Sequence, residues 1–463
     1  MNPRNLIYTF VSYASHYDTP WGRGTAVEGI ERTAAIAHRH GIPVTWIVNR
    51  GSIPVLAARI SEWHEAYGDD VILQCPFFIE DAGMSKDKLK ETLASDWRLL
   101  QETFPWAQTK IAGRGKIYNE VIETLEELGF EGMWGYCWEQ VWWDGITHKG
   151  IPWGSWYVDG SRYKVPHPGR GQVVAFEWTA RDLHLTYHTG SPVLYSTDPN
   201  DVLRAGLCTG QNIEYWKRLF DEYMDNTEHN EQVFFLQQQE GHEMEYGERF
   251  AVFPAADVEA CAEMLDLFFA YVAGSGATLA TLPQAVARYK AHNAAATAPV
   301  YMLTRDKPFA PALNDYTMTL GGVGLGPWPD TFLYYDSRCQ MAFVRGECKP
   351  RMLRSYVGQW DMSSEFTEPI PPLFVTRYER TATTIELIYE IGIWKPIPFG
   401  LAYWDDLAGY EIESCEIAAA AAELQAEAQA EVDARLIGGE LVFLRFALSG
   451  AKTKLRLVLR KRS

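Results

Sequence analysis

From the amino terminus to about residue 293, short apolar runs alternate with stretches in which apolar side chains recur every three or four positions. A run of the first kind fits a strand buried on both faces, and a stretch of the second kind fits a helix buried on one. Their alternation predicts βα units wound on a parallel sheet or barrel. Residues 6–12 read as a buried strand, Val27, Ile30, Ala34 and Ala37 mark a helix that closes near Gly41, and residues 43–48 read as the next strand. The pattern continues with a helix over 54–67, a strand over 71–75, and a helix running from Ser85, its N-cap, to residue 104. A short strand at 110–113 precedes a helix that Asn119 can cap and Gly129 can close, and residues 132–137 return to the sheet. Strands at 173–177 and 233–237 follow, then an amphipathic helix over 257–273. The region ends in a short strand and helix within 278–290, with Pro283 in the first helical turn.

At 463 residues the chain exceeds what one core usually organises, so a second domain is expected. Residues 294–300 read as a linker, and beyond it segments such as 383–391, 440–448 and 454–459 alternate in the manner of an antiparallel β-sandwich filling 301–463. An acidic, Ala-rich stretch at about 416–435 interrupts that pattern and reads as an exposed helix or an excursion between strands. The start of the chain has none of the features of a secretory signal, and no apolar run is long enough to span a bilayer, so a cytoplasmic protein without membrane contact is expected. Seven scattered cysteines without a C-x-x-C pair suit reduced thiols. A formal charge of −18 with no basic stripe argues against nucleic acid. Whether the chain is a homo-oligomer is left open.

Several stretches carry a resemblance to a known family. Ile7-Tyr8-Thr9-Phe10 and His40-Gly41-Ile42-Pro43-Val44-Thr45-Trp46-Ile47-Val48 resemble the "TFDDG…HGIKATFFV" motif of the NodB-type polysaccharide deacetylases. Ala112-Gly113-Arg114-Gly115 and residues 120–130 resemble that family's third motif and the helix after it. The resemblance covers the first 293 residues and implies an incomplete, TIM-like (β/α)7 barrel, the fold these deacetylases share with related glycoside hydrolases. It also implies a divalent metal held by an Asp after strand one and two His after strand three. Here those positions read Val11-Ser12 and Gln74-Cys75-Pro76, so the metal set is missing. His16 and Asp18 are placed where a rearranged set would have to be built.

In parallel barrels the C-terminal ends of the strands face the substrate. That rule selects Glu139, Glu177 and Glu240, each at or just past a strand end, with Asp182 in the loop after Glu177. Glycoside hydrolysis needs two carboxyl groups in different environments, one to protonate the leaving oxygen and one to stabilise the sugar cation or activate water. The polar strand end Gln237-Gln238-Gln239-Glu240 is similar to the seventh-strand acidic motif of family 57 glycoside hydrolases, with glutamine where their Asp stands. Six of the 17 tryptophans lie between Trp134 and Trp156, and those in the Gly/Pro-interrupted loop, Trp138 and Trp153 among them, suit stacking on a pyranose face. His16, Asp18, Trp21, Arg114 and His242 complete the candidate substrate-binding set.

These residues predict a carbohydrate-active hydrolase, a glycoside hydrolase working without metal or other cofactor, in which Glu240 pairs with Glu139 or Glu177. Two other readings fit the same sequence. One is a deacetylase or related amide hydrolase with a relocated divalent metal, and the other is a catalytically silent carbohydrate-binding protein.

Overall fold

The computed structural model divides into two compact units, Met1–Leu325 with Gly358–Met362 and Gly326–Val357 with Ser363–Ser463. It describes residues 5–15, 17, 25–75, 84–113, 119–136, 155–158, 167, 169–177, 179–180, 197–199, 213–228, 230–239 and 255–295 of the first unit. In the second unit it describes residues 332–336, 341–345, 352–353, 373–391, 397–404, 406–419, 432–437, 439, 441–448 and 453–462. The expected linker at 294–300 falls mostly outside these residues.

The first unit runs β1 (Leu6–Tyr13), α1 (Ala26–Arg39), β2 (Val44–Val48), α2 (Ser52–Tyr67), β3 (Asp70–Gln74), α3 (Lys86–Thr103), β4 (Ile111–Gly113), α4 (Asn119–Glu127) and β5 (Gly132–Tyr136). It continues with β6 (Trp156–Tyr157), β7 (Val174–Glu177), α5 (Ile213–Asp225), β8 (Val233–Gln239), α6 (Ala255–Gly274), β9 (Thr278–Leu279) and α7 (Leu282–His292). The strands form one sheet in the order β6-β7-β5-β4-β3-β2-β1-β8, parallel except for β6. β9 pairs with the start of β1, at Ile7 and Tyr8, below the stretch from Phe10 to Tyr13 that β2 occupies.

Local chemistry explains the helix ends. Thr25 and Glu28 form a capping box at α1, Ser85 accepts from the Lys88 amide at α3, and Thr281 with Gln284 repeats the box at α7. Gly68 and Gly129 take φ of +78° and +75° where α2 and α4 end.

The sheet curls, because side chains from strands near its two ends share one cluster. Phe176 of β7 and Phe234 of β8 meet edge to face with ring centroids 5.3 Å apart, and the cluster also holds Ile7, Val11, Tyr13, Ile47, Ile72, Ile111 and Trp134. Leu282, Ala285, Val286 and Tyr289 of α7 plug it. A Cβ on Gly132 would stand 2.8 Å from the Val286 side chain, so the helix approaches this strand only because the side chain is absent. The other face of β1 meets helices, Tyr8 against Phe220 and Phe10 against Phe269.

Asp70 begins β3 beside this plug, and burial pushes its carboxyl up to about 6 from an ordinary 3.8, against the opposing effect of the Val71 amide that it accepts from at 2.9 Å. The folded state therefore holds a proton that the unfolded chain releases between these two values. The stability linked to this group is full below pH 4 and is lost as the pH rises through 6. Asp70→Asn is expected to raise stability at pH 7.5 by roughly 2 kcal/mol and to change it little at pH 4, which urea unfolding at the two pH values measures.

The second unit contains β10 (Phe332–Asp336), β11 (Met341–Arg345), β12 (Met352–Leu353), β13 (Leu373–Arg380), β14 (Thr384–Ile391), β15 (Ile397–Trp404), β16 (Tyr410–Ala419), β17 (Asp433–Ile437), β18 (Leu441–Leu448) and β19 (Thr453–Lys461). They form two sheets, β10-β11-β15-β18-β17 and β12-β13-β14-β19-β16. One apolar cluster draws on both, joining Ile385, Leu387 and Leu457 to Tyr403, Val442 and Leu444. Pairing is antiparallel apart from β11 with β15, a departure from the purely antiparallel pattern expected. The stretch at 416–435 is also corrected at both ends. Residues through Ala419 finish β16 on β19, and Asp433 opens β17 on β18, because ladder pairing outweighs the helix preference of alanine. Residues 420–431 lie outside the described set. The open face of the second sheet carries cross-strand ion pairs, Arg456 with Glu386 at 2.6 Å and Arg460 with Glu413 at 2.6 Å.

Candidate functional site at the C-terminal ends of the barrel strands

Alternation along each strand decides which side chains reach the mouth. Val11 and Tyr13 belong to the inward cluster on β1, Ile47 on β2, Ile72 on β3, and Phe234 with Leu236 on β8. Counting on by two residues, Ser15, Asn49, Gln74 and Gln238 are the next inward residues of their strands, the first three continuing one register and Gln238 standing opposite Val11. The interior thus turns from apolar to polar over one layer.

Asn49 ties this layer together. Its Nδ2 donates to the Ser15 carbonyl at 3.1 Å and to Gln74 Oε1 at 3.3 Å, while its Oδ1 accepts from the Gly51 and Ser52 amides at 3.0 and 2.8 Å at the start of α2. Below the layer lie Tyr13 and Trp134, edge to face at 5.7 Å. A Cβ on Gly113 would meet the Ile72 side chain at 2.9 Å and the Trp134 ring at 3.4 Å, so glycine there leaves the indole its place. Ser15 Oγ and Trp134 Nε1 are buried without a hydrogen-bond partner.

The three glutamines of β8 divide between faces. Gln237 takes the helix side, where the Tyr8 hydroxyl donates to its Oε1 and its own Nε2 donates to the Thr197 carbonyl at 2.8 Å. Burial pushes that tyrosine hydroxyl well above its usual range. Gln238 takes the inward side and donates from Nε2 to Asp198 Oδ2. The segment carrying Asp198 closes the gap between β7 and β8, since the Ala180 amide donates to the Leu236 carbonyl and the Thr197 amide to the Ala180 carbonyl.

Of the candidate residues read from the sequence, Glu177 alone is described. It ends β7 opposite Tyr136 of β5 and is 7% exposed. It follows inward-facing Phe176, so alternation sends its carboxyl toward the helix-covered face. Glu139, Asp182, Glu240, His16, Asp18, Trp21, Arg114, Trp138, Trp153 and His242 lie outside the described residues.

Sequence reading passed over Asn49 and Asp198. The Asn-x-x-Ser pattern at residues 49–52, immediately after a strand, is a helix-start signal that could have found the first. Nothing local marks the second, which owes its burial to β8.

The positions where the resemblance implies a metal were tested on their surroundings. Val11 is an inward apolar side chain, Ser12 and Cys75 are buried, and Gln74 offers an amide already engaged by Asn49. This donor set does not fit the family's metal. Among the described residues no three His, Cys, Asp or Glu side chains gather as a metal site, and no helix is long and apolar enough to cross a membrane. Cys75 and Cys261 are buried and Cys415 is half-buried.

No protein-family model and no curated protein sequence matches the chain. Solved structures similar to it include a protein from Mycobacterium smegmatis assigned as a polysaccharide deacetylase, at 13% identity and a TM-score of 0.41 over 66% of this chain and 96% of that one. A CE4 family pseudoenzyme from Bacillus anthracis is similar at 10% identity and a TM-score of 0.32, over 62% of this chain and 66% of that one. A 4-alpha-glucanotransferase from Thermococcus litoralis is similar at 10% identity and a TM-score of 0.40, over 99% of this chain and all of that one. At these values none of them assigns a residue or a reaction to this chain.

Proposed function

We propose that the protein is a carbohydrate-active hydrolase whose first unit is an incomplete (β/α)7 barrel and whose second is a β-sandwich. Within that class the reading is a glycoside hydrolase that uses paired carboxyl groups and needs no metal. The observation that carries it is the uncharged polar layer of Ser15, Asn49, Gln74 and Gln238 above the Tyr13 and Trp134 rings. Amides and hydroxyls suit the hydroxyl groups of a sugar, and the two rings, both buried, support them from within the core.

Glu240 is the proposed first carboxyl group, being in phase with inward-facing Gln238 two residues before it. For its partner, the phase of β7 favours Glu139 over Glu177, because it gives Glu177 to the helix side. One of the pair protonates the leaving oxygen and the other stabilises the sugar cation or activates water. Trp138 and Trp153 would stack on the ring, and His16, Asp18, Trp21, Arg114 and His242 would meet its hydroxyls, with Asp182 the reserve carboxyl group.

The test is a panel of aryl glycosides, oligosaccharides and N-acetylated oligosaccharides assayed with and without a strong chelator. Glycoside cleavage that survives chelation is expected. Acetate release that stops on chelation and returns with a divalent metal would establish the deacetylase reading instead, and sugar binding without turnover would establish the silent binding protein.

A further inference from the structure

A carboxylate taken out of water is costly unless its hydrogen bonds compensate. Asp198 is 2% exposed, and the neighbours on either side of it are pinned. Thr197 shares a hydroxyl hydrogen bond with Thr179 at 3.0 Å and accepts at its carbonyl from Gln237, while the Pro199 carbonyl accepts from the Cys261 thiol at 3.4 Å. The fold thus holds this carboxylate in one place, against the one glutamine of β8 that faces inward.

A carboxylate can only accept, so its partner amide must turn its NH2 toward it. Gln238 is thereby left with its carbonyl oxygen as the group it can offer a ligand. Gln74 is set the opposite way. Its Oε1 accepts from Asn49 Nδ2, and Asn49 cannot flip without losing the Gly51 and Ser52 amides that its own oxygen holds. Gln74 therefore offers NH2. With β2 and β1 between them in the sheet, β3 presents a donor and β8 an acceptor on the same inward face.

We infer that Asp198 is a positioning residue which, through Gln238, sets the hydrogen-bond polarity of the barrel mouth, so that a polyhydroxylated ligand meets an acceptor on β8 and a donor on β3. The inference rests on the carbohydrate reading above and narrows it. A hydroxyl both donates and accepts, so a ring with hydroxyls on two sides satisfies Gln74 and Gln238 together.

Calorimetric titration of the full chain with methyl glycosides of neutral hexoses tests it on Asp198→Asn, Gln238→Met and the double variant. At least one glycoside is expected to bind the unaltered protein. Each single change should weaken it about tenfold, and the double change should weaken it about tenfold rather than a hundredfold, because Asp198 acts through Gln238. Losses that simply add overturn the inference. Should Asp198→Asn fail to fold, Gln238→Met decides alone, and unchanged affinity in it overturns the inference. If no probe binds the unaltered protein, the carbohydrate reading fails and this inference fails with it.

Discussion

Glu240→Gln is expected to lower the turnover of a cleaved glycoside about a thousandfold while leaving the thermal midpoint nearly unchanged. The amide keeps the shape of the carboxyl group but cannot cycle a proton, and general acid–base catalysis is worth about two to four orders of magnitude. Glu139→Gln should show a loss of similar size. Glu177→Gln is the internal contrast. Its side chain follows Phe176 into the helix-covered phase of β7, so its turnover should stay within about threefold of the unaltered enzyme, any cost falling on stability. Steady-state kinetics beside thermal unfolding of the three variants separates the outcomes. Near-normal turnover in Glu240→Gln removes that residue from the mechanism, and a thousandfold loss in Glu177→Gln with an intact fold returns it to the pair.

Asp69→Ala is expected to destabilise the first unit by about 3 to 5 kcal/mol, the largest single effect on stability predicted for this chain. The carboxylate is fully buried and accepts from the Val44 amide at 2.9 Å, the Trp46 indole at 2.7 Å and His38 Nε2 at 3.0 Å. Truncation leaves these groups facing a cavity. His38 also stacks on Tyr67 at 3.8 Å and Trp46 on Trp63 at 5.0 Å, so the network fastens α1 and α2 to β2. Asp69→Asn keeps the volume and one acceptor, and should lose about half as much. Asp69 directly precedes β3, at the end of the barrel that serves stability, so the folded fraction of either variant should keep its turnover. Chemical unfolding gives the first quantity and activity per folded molecule the second. Loss of activity without loss of stability would place Asp69 in the site instead.

Much of the first unit is legible because its signals are local. Residues 6–12, 43–48 and 71–75 are apolar runs whose neighbours in sequence exclude a helix, and they become β1, β2 and β3 within a residue or two. The caps at Ser85 and Pro283 are equally local and sit where expected. Helix α5 was passed over although Ile213, Trp216, Leu219, Phe220 and Tyr223 keep helical spacing and the sequence before them, Thr209-Gly210-Gln211-Asn212, offers a loop and a capping residue type. The short strands β10 to β12 were also missed. Two to five residues are too few for a period to show, and they are strands by virtue of their partners.

The sequence by itself determined the βα order of the first unit and the change to strands in the second, since these depend on residues only a few positions apart. Only the tertiary structure decided that the three adjacent glutamines of β8 serve two different faces, that Asn49 joins β1 to β3, and that Asp198 and Asp69 are buried carboxylates with fixed partners. Each of those facts is a contact between residues tens to hundreds of positions apart, such as the Tyr8 hydroxyl on Gln237. A contact of that kind exists only once the sheet has curled and brought its strands into register, and no periodicity in the chain encodes it.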